Sequence, residues 1–239
     1  MNYTYLDCLA SFGVGGAHPG GLKLTKRILS REYIDQETSI LDVGCGTGQT
    51  SAYIAEKYRC PVTSLDSNTT MLLKAKQRFS SLQLPINVVQ GSAESLPFID
   101  RSFDFILSES VTSFTNVSST IMEFKRVLKT NGVLLAIEMV LEDSLSQEDL
   151  NTMVDFYGVS QLLTQSEWYN LFHKAGFKQI TVERYKSEFD ENENDIDSAS
   201  DFLLSENIDD QLLEIFEKHV HLTKKYSDRL SFCIFRCCI

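Results

Sequence analysis

The residues best suited to chemistry in this chain fall in one run, Ile40-Leu-Asp-Val-Gly-Cys-Gly-Thr-Gly48. A short apolar strand delivers the chain to Gly44. Glycines at 44, 46 and 48 let the backbone take unusual φ values and let a ligand approach without meeting a Cβ. Turns at the carboxyl ends of strands are where open α/β sheets bind their ligands. The spacing separates two ligand classes. A dinucleotide-binding turn reads G-x-G-x-x-G and faces a pyrophosphate with a helix N-terminus. Its third glycine would fall here at position 49, which is Gln. The turn is instead preceded by an acidic residue, Asp42. A carboxylate beside the loop repels a pyrophosphate and suits a ligand with a cationic end and no phosphate.

Asp42-Val-Gly-Cys-Gly-Thr-Gly48 resembles motif I of the class I S-adenosylmethionine-dependent methyltransferases. That cofactor carries an ammonium, a sulfonium and a ribose. Further segments follow the same family in order, over roughly residues 37–185. Asp66 ends the second strand, where the family has an acidic residue for the ribose hydroxyls, a charge-assisted contact. Met71 matches a position near the adenine. Gly91-Ser-Ala-Glu-Ser-Leu-Pro-Phe98 is similar to a Gly-Asp-Ala-Glu-x-Leu-Pro-Phe segment, with Ser92 standing where the family has the Asp that accepts from the adenine amino group. Phe103-Asp-Phe-Ile-Leu-Ser108 resembles the strand before the active-site loop, and Glu167-Trp168 with Ala175-Gly-Phe177 matches the late helix and strand start. The likeness is greatest to the small-molecule branch that includes the ubiquinone and menaquinone biosynthesis methyltransferases. It implies that Gly44, Cys45, Gly46 and Gly48 hold the cofactor with Asp42. Asp66, Ser67 and Met71 complete the ribose and adenine side, and Ser92, Ala93, Glu94 and Ser108 the remainder. Three functions follow: methyl transfer to a small molecule, binding of the cofactor and a protein partner without catalysis, and nicotinamide oxidoreduction, which the glycine spacing and Asp42 oppose.

Two titratable residues stand near where a methyl group would be transferred. Glu109 follows the fourth strand, and His18 lies in Ala17-His-Pro-Gly-Gly21, a turn placed before the first helix. Each is a candidate substrate contact or general base, against a solvent-facing or capping role for Glu109 and a turn role for His18. A sulfonium is already a good leaving group, so a base is needed only if the acceptor atom is protonated. Tyr3, Tyr5 and Phe12 are candidates for the same lid, against a role in simply anchoring the terminus. Tyr157 and Trp168 face a choice between site and core, and core packing is expected for Trp168.

Strands alternating with amphipathic helices position these residues, which argues for a mainly parallel sheet covered on both faces. The expected strands are residues 39–43, 61–66, 86–90, 103–108, 133–137, 177–185 and 230–238. Helices are expected over 49–58 and around Met71, Leu72, Ala75 and Phe79. A further helical face carries Ile121, Phe124 and Leu128 and ends at Asn131-Gly132. Ser146 and Thr164 open two more helices, the second ending at Gly176. Residues 188–197 are acidic and read as a loop, and residues 199–227 as helical. The resemblance implies a Rossmann-like seven-stranded sheet of order 3-2-1-4-5-7-6 with a reversed last strand. The chain reads as a single domain over residues 1–239, with a lid at 1–21 and a helical insertion or cap at 186–228. Acceptor specificity is expected from the lid, residues 109–116, residues 140–165 and the insertion.

Composition bounds the partners. A net charge of −11 lacks the basic face that phosphate contacts require, so a nucleic acid substrate is not expected. Six cysteines without paired spacing read as reduced, mostly buried thiols, and no metal site is expected, although Cys237 and Cys238 are adjacent. No basic segment precedes an apolar run at the N-terminus and no 18-residue apolar stretch occurs, so the expected location is cytoplasmic. Nothing in the sequence fixes an oligomeric state.

Overall fold

The computed structural model describes residues 3–185, 201–206 and 208–239. The chain enters through a helix, α1 (Tyr5–Phe12), which lies ahead of the turn at residues 17–21. Thr4 and Asp7 cap it reciprocally, and Gly13, at φ +61°, ends it. Eight residues are too few for a helix to persist on propensity alone. Packing of Tyr5, Cys8 and Ala10 sustains it. The Lys74 ammonium also donates to its last carbonyls, at 2.7 Å to Ala10 and 3.0 Å to Ser11. The next residues, β1 (Val14–Gly15), pair antiparallel with β8 (Asp201–Phe202). The helix α2 (Gly21–Leu29) then leads to the main sheet.

That sheet holds β2 (Ile40–Val43), β3 (Val62–Asp66), β4 (Asn87–Gln90), β5 (Phe103–Glu109), β6 (Leu128–Leu141), β7 (Gln179–Tyr185) and β9 (Leu230–Cys238). Its order is β4-β3-β2-β5-β6-β9-β7. Strands β2 to β6 are parallel, and β9 runs antiparallel between β6 and β7. Counted within the sheet this is 3-2-1-4-5-7-6, the expected Rossmann-like order. The helices between are α3 (Gln49–Tyr58), α4 (Thr69–Ser81), α5 (Val117–Val127), α6 (Gln147–Tyr157), α7 (Gln165–Ala175) and α8 (Asp210–Lys225).

Strand alternation divides the core. Leu41 and Val43 join a cluster with Phe124 of α5, Trp168 and Phe172 of α7 and Phe235 of β9. Ile40 faces the opposite cluster, with Leu24 and Ile28 of α2 and Ile54 of α3. This is the period-2 pattern of a strand buried on both faces. Trp168 is a core residue, its indole N–H donating to the Met139 carbonyl at 3.0 Å. A separate cluster joins Tyr5 of α1, Met153 and Tyr157 of α6, and Leu222 with Tyr226 at the end of α8.

Four sequence expectations need correction. A helix, α1, precedes the one placed first. The helical face ends at Val127, and Leu128 already has extended geometry and begins β6. Asn131-Gly132 lies inside that strand. Leu128 pairs with Phe103 and Val133 with Phe105, so the turn-forming pair sits in a register shift and does not end an element. Residues 199–227 are not continuously helical. Phe202 belongs to β8, and α8 starts at Asp210 behind an Asp209 cap. Strand β6 is also longer than the expected residues 133–137. The acidic stretch at 188–197 lies outside the described residues, as does most of the first half of the 186–228 insertion.

Candidate active site

The glycine loop joins β2 to α3, and its three glycines have different neighbours. All three lie in the left-handed region, at φ +71°, +53° and +77° for Gly44, Gly46 and Gly48. A Cβ on Gly44 would lie 2.3 Å from Val111 Cγ2, and one on Gly48 2.4 Å from Phe79 Cζ. These two glycines let the loop pack against the protein. A Cβ on Gly46 would meet nothing within 4 Å. Gly46 is therefore where a ligand can approach the bare backbone.

Asp66 ends β3 and anchors the same loop. Its Oδ2 accepts the Gly46 N–H at 2.9 Å and its Oδ1 the Asn68 N–H at 2.8 Å. Burial raises its pKa against those backbone donors. Each oxygen keeps acceptor capacity for a hydroxyl donor. Asn68 caps α4, which carries the buried Met71.

Asp42 is 2% exposed and lies beneath the loop. Its Oδ2 accepts from Ser51 Oγ at 2.5 Å, and Ser51 Oγ in turn accepts from Ser64 Oγ at 2.6 Å. Burial, with repulsion from Glu109 and then Asp66, pushes the Asp42 carboxyl up to about 7 against the pull of Ser51. The Cys45 thiol is buried, and burial beside Asp42 and Asp66 raises its pKa. Three carboxyl groups thus gather around one loop, Asp42 and Glu109 buried in hydrogen bonds of their own and Asp66 partly exposed.

His18 and Glu109, separate candidates in the sequence, are in contact. His18 Nε2 lies 3.3 Å from Glu109 Oε2, both side chains nearly fully buried. Glu109 Oε1 accepts from Thr25 Oγ1 at 2.5 Å and Oε2 from Thr50 Oγ1 at 2.8 Å. His18 Nδ1 faces the Pro19 carbonyl at 3.2 Å, and Nε2 is also 3.3 Å from Thr25 Oγ1. The end of β5 is thereby joined to the N-terminal segment, to α2 and to the first turn of α3. Nothing marked Thr25, Thr50, Ser51 or Ser64 in the sequence beyond the position of Thr50 and Ser51 just after Gly48.

The other expected residues differ in exposure. Ala93 is buried. Ser92 is exposed, and its Oγ accepts the Glu94 N–H at 3.1 Å. Glu94 is exposed and accepts the Asn116 N–H at 3.0 Å, at the start of α5. Ser67 is exposed. Ser108 is fully buried, its Oγ 3.2 Å from Thr112 Oγ1. Of the six free cysteines, five are buried and Cys238 is half-buried. No group of three metal-ligating side chains occurs among the described residues. No helix among them is long and apolar enough to cross a membrane.

The sheet order is that of a Rossmann-like fold with a glycine loop after its first strand, and relatives give the class. Residues 41–136 match the family model described as a methyltransferase domain. Over 231 residues, 97% of each chain, the protein is 38% identical to the uncharacterized methyltransferase YodH of Bacillus subtilis (strain 168). It is 31% identical over 141 residues to the demethylmenaquinone methyltransferase of Chlorobaculum tepidum, covering 58% of this chain and 55% of that one. The phosphoethanolamine N-methyltransferase 2 of Haemonchus contortus, solved with S-adenosyl-L-methionine, matches with a TM-score of 0.79 at 20% identity. That match covers all of this chain and 58% of the other. The chain belongs to the class I S-adenosylmethionine-dependent methyltransferases, and S-adenosylmethionine is its cofactor.

Proposed function

We propose that this enzyme methylates a small-molecule acceptor whose reacting atom carries a proton, and that the His18–Glu109 pair receives that proton. The observation behind this reading is the contact at 3.3 Å between His18 Nε2 and Glu109 Oε2, at the end of β5 beside the glycine loop. The bound cofactor supplies an electrophilic methyl group on a sulfonium. The residues of this chain bind, orient and shield. Asp66 would hold the ribose hydroxyls and Gly46 would give backbone access. Asp42, Gly44, Cys45 and Gly48 would shape the loop, with Asp42 hydrogen-bonded to Ser51 beneath it. Met71, Ala93 and Ser92 would border the adenine, with Ser67, Glu94 and Ser108 supporting the surrounding turns. Glu109 holds the His18 ring in place, and Thr25 and Thr50 hold Glu109. The segment at residues 1–21 serves as a lid that excludes water, and the part of the chain around α8 caps the acceptor side. Alignment of the acceptor supplies much of the rate, up to roughly 7–11 kcal/mol in ideal cases.

The choice of a small molecule rests on charge and kinship. A chain of net charge −11 is poorly suited to a polyphosphate backbone. The demethylmenaquinone and phosphoethanolamine methyltransferases it resembles are named for small acceptors. Six unpaired thiols suit a reducing compartment, and we place the reaction in the cytoplasm.

A screen with isotopically labelled S-adenosylmethionine and fractionated cell extract, followed by mass identification of the product, tests the reading. Label in a low-mass product is expected, and label confined to nucleic acid or protein overturns it. With the acceptor in hand, His18→Ala and Glu109→Gln should lower turnover by about 10²-fold or more. Affinity for S-adenosylhomocysteine should stay close to wild type for His18→Ala. Wild-type rates in both variants would mean catalysis by alignment alone.

A further inference from the structure

Glu138 lies in β6, is 0% exposed, and faces no cation among the described residues. Its Oε1 accepts the Thr112 N–H at 3.1 Å and its Oε2 the Ser113 hydroxyl at 2.9 Å. Burial pushes its carboxyl up to about 7 against those hydrogen bonds. A carboxyl without a counter-charge in a sheet core destabilises the fold, and an apolar side chain of similar volume would pack there at lower cost. Its hydrogen bonds go only to the turn that follows Glu109, so the reason for this residue is sought in that turn.

The turn is under strain. Ser110 holds φ +58° without being glycine, and its Oγ is buried with no hydrogen-bond partner among the described residues. Such a conformation costs of order 1–3 kcal/mol and persists only where its surroundings over-determine it. Two consecutive residues of β6 supply the restraint. The Ile137 carbonyl accepts the Ser110 N–H at 2.7 Å, and Glu138 grips Thr112 and Ser113. Between these holds lies Val111, whose side chain fills the space beside Gly44. Before them lies Glu109, in contact with His18. After them Phe114 stacks on Tyr5 of the N-terminal helix, with ring centroids 6.4 Å apart.

We infer that Glu138 is a positioning residue for methyl transfer: by clamping the turn at residues 110–114 it sets the Glu109–His18 contact and the seat of the glycine loop together. This rests on the site reading above for the importance of Glu109 and His18. It does not rest on either being a base. No contact between Glu138 and cofactor or acceptor is involved.

The test uses the full chain and needs no acceptor. Affinity for S-adenosylhomocysteine is measured by calorimetry, and the His18 ring signals are followed by NMR. Glu138→Ala should weaken binding about tenfold, the equivalent of ~1.4 kcal/mol, and shift the His18 ring signals. Glu138→Gln keeps an acceptor for Thr112 and should restore both to within about threefold of wild type. Val62→Ala, in the opposite core cluster, controls for lost stability and should leave both unchanged. If Glu138→Ala does not fold, Ser113→Ala removes one of the two bonds and should shift the same signals in the same direction. Wild-type affinity and unchanged His18 signals in the folded variants would overturn the inference. Loss of turnover in His18→Ala is a separate outcome and bears only on the acid–base reading.

Discussion

The side chain of Val111 stands where a Cβ on Gly44 would have to be, with Cγ2 2.3 Å from that position. Gly46, two residues on, has open space at the equivalent point. Two glycines of one motif therefore differ in their surroundings: Gly44 is hemmed in by the fold, and Gly46, which we propose faces the cofactor, is not. Gly44→Ala should cost about 2–4 kcal/mol through overpacking and left-handed strain, seen as a lowered Tm. Gly46→Ala should cost about 1 kcal/mol from its positive φ alone, yet weaken S-adenosylhomocysteine binding more than tenfold. Calorimetry and thermal scans on both variants check this. Equal loss of stability in the two would remove the distinction.

Asp66 should separate binding from folding in the opposite way to Gly44. Asp66→Ala removes the acceptor of the Gly46 N–H and, on the proposed ribose role, the partner of two hydroxyls, a loss of about 1.5–3 kcal/mol in cofactor affinity. The dissociation constant for S-adenosylhomocysteine should rise at least tenfold while the circular dichroism spectrum stays that of the wild type. An unchanged constant would move the ribose site elsewhere.

Asp42 makes stability depend on pH. An aspartate in the unfolded chain titrates near 4, at about 3.9, and in the folded protein burial holds Asp42 up to about 7. Between those values the folded state keeps a proton that the unfolded state has lost. The contribution of this group is therefore complete below about pH 4 and is lost as pH rises through about 7. Asp42→Asn should match the wild-type Tm near the acid end of that window. At pH 8 it should exceed the wild type by ~2–4 °C for each kcal/mol recovered. A Tm difference that does not change with pH would show that Asp42 is ionised throughout.

Lys74 ties the N-terminal helix to α4, the helix that carries Met71, through the Ala10 and Ser11 carbonyls. Burial lowers its pKa. Lys74→Met keeps the length of the side chain and removes both hydrogen bonds. Hydrogen exchange at residues 8–13 should speed up by roughly an order of magnitude, consistent with ~1–3 kcal/mol for bonds from a charged donor, with the β5 and β6 amides unchanged. Unaltered exchange at residues 8–13 would show that ring packing around Tyr5 holds this helix without help.

The sheet could be read from the sequence because its strands and helices carry strong, regular apolar patterns, as in Ile40–Val43 and in the Met71, Leu72, Ala75 and Phe79 face. Elements set by tertiary contacts could not. Helix α1 is eight residues long and β8 only two, below what any periodicity resolves. Asn131-Gly132 carries the strongest short turn pattern in the chain, and the sheet takes it up in a register shift beside Asp104. In the candidate site, the glycines and Asp42 stood out by their types and spacing, and Asp66 through the family resemblance. The differing constraints on Gly44 and Gly46 depend on Val111, far along the chain. The His18–Glu109 contact depends on how the N-terminal segment folds back over β5. Thr25, Thr50 and Glu138 are residue types found at many surface and core positions, and only the assembled structure shows what they hold.

Strand β9 follows both β6 and β7 in the chain, yet it lies between them and forms hydrogen bonds with both. As the chain leaves the ribosome, β6 and β7 must wait with a slot open between them until residues 230–238 have emerged. In that interval each presents an unpaired strand edge, flanked by apolar side chains such as Leu134, Ala136 and Ile180, to any neighbouring chain. The hazard of misassembly therefore lasts for as long as β6 and β7 are made and β9 is not, with the glycine loop and Asp66 already synthesised.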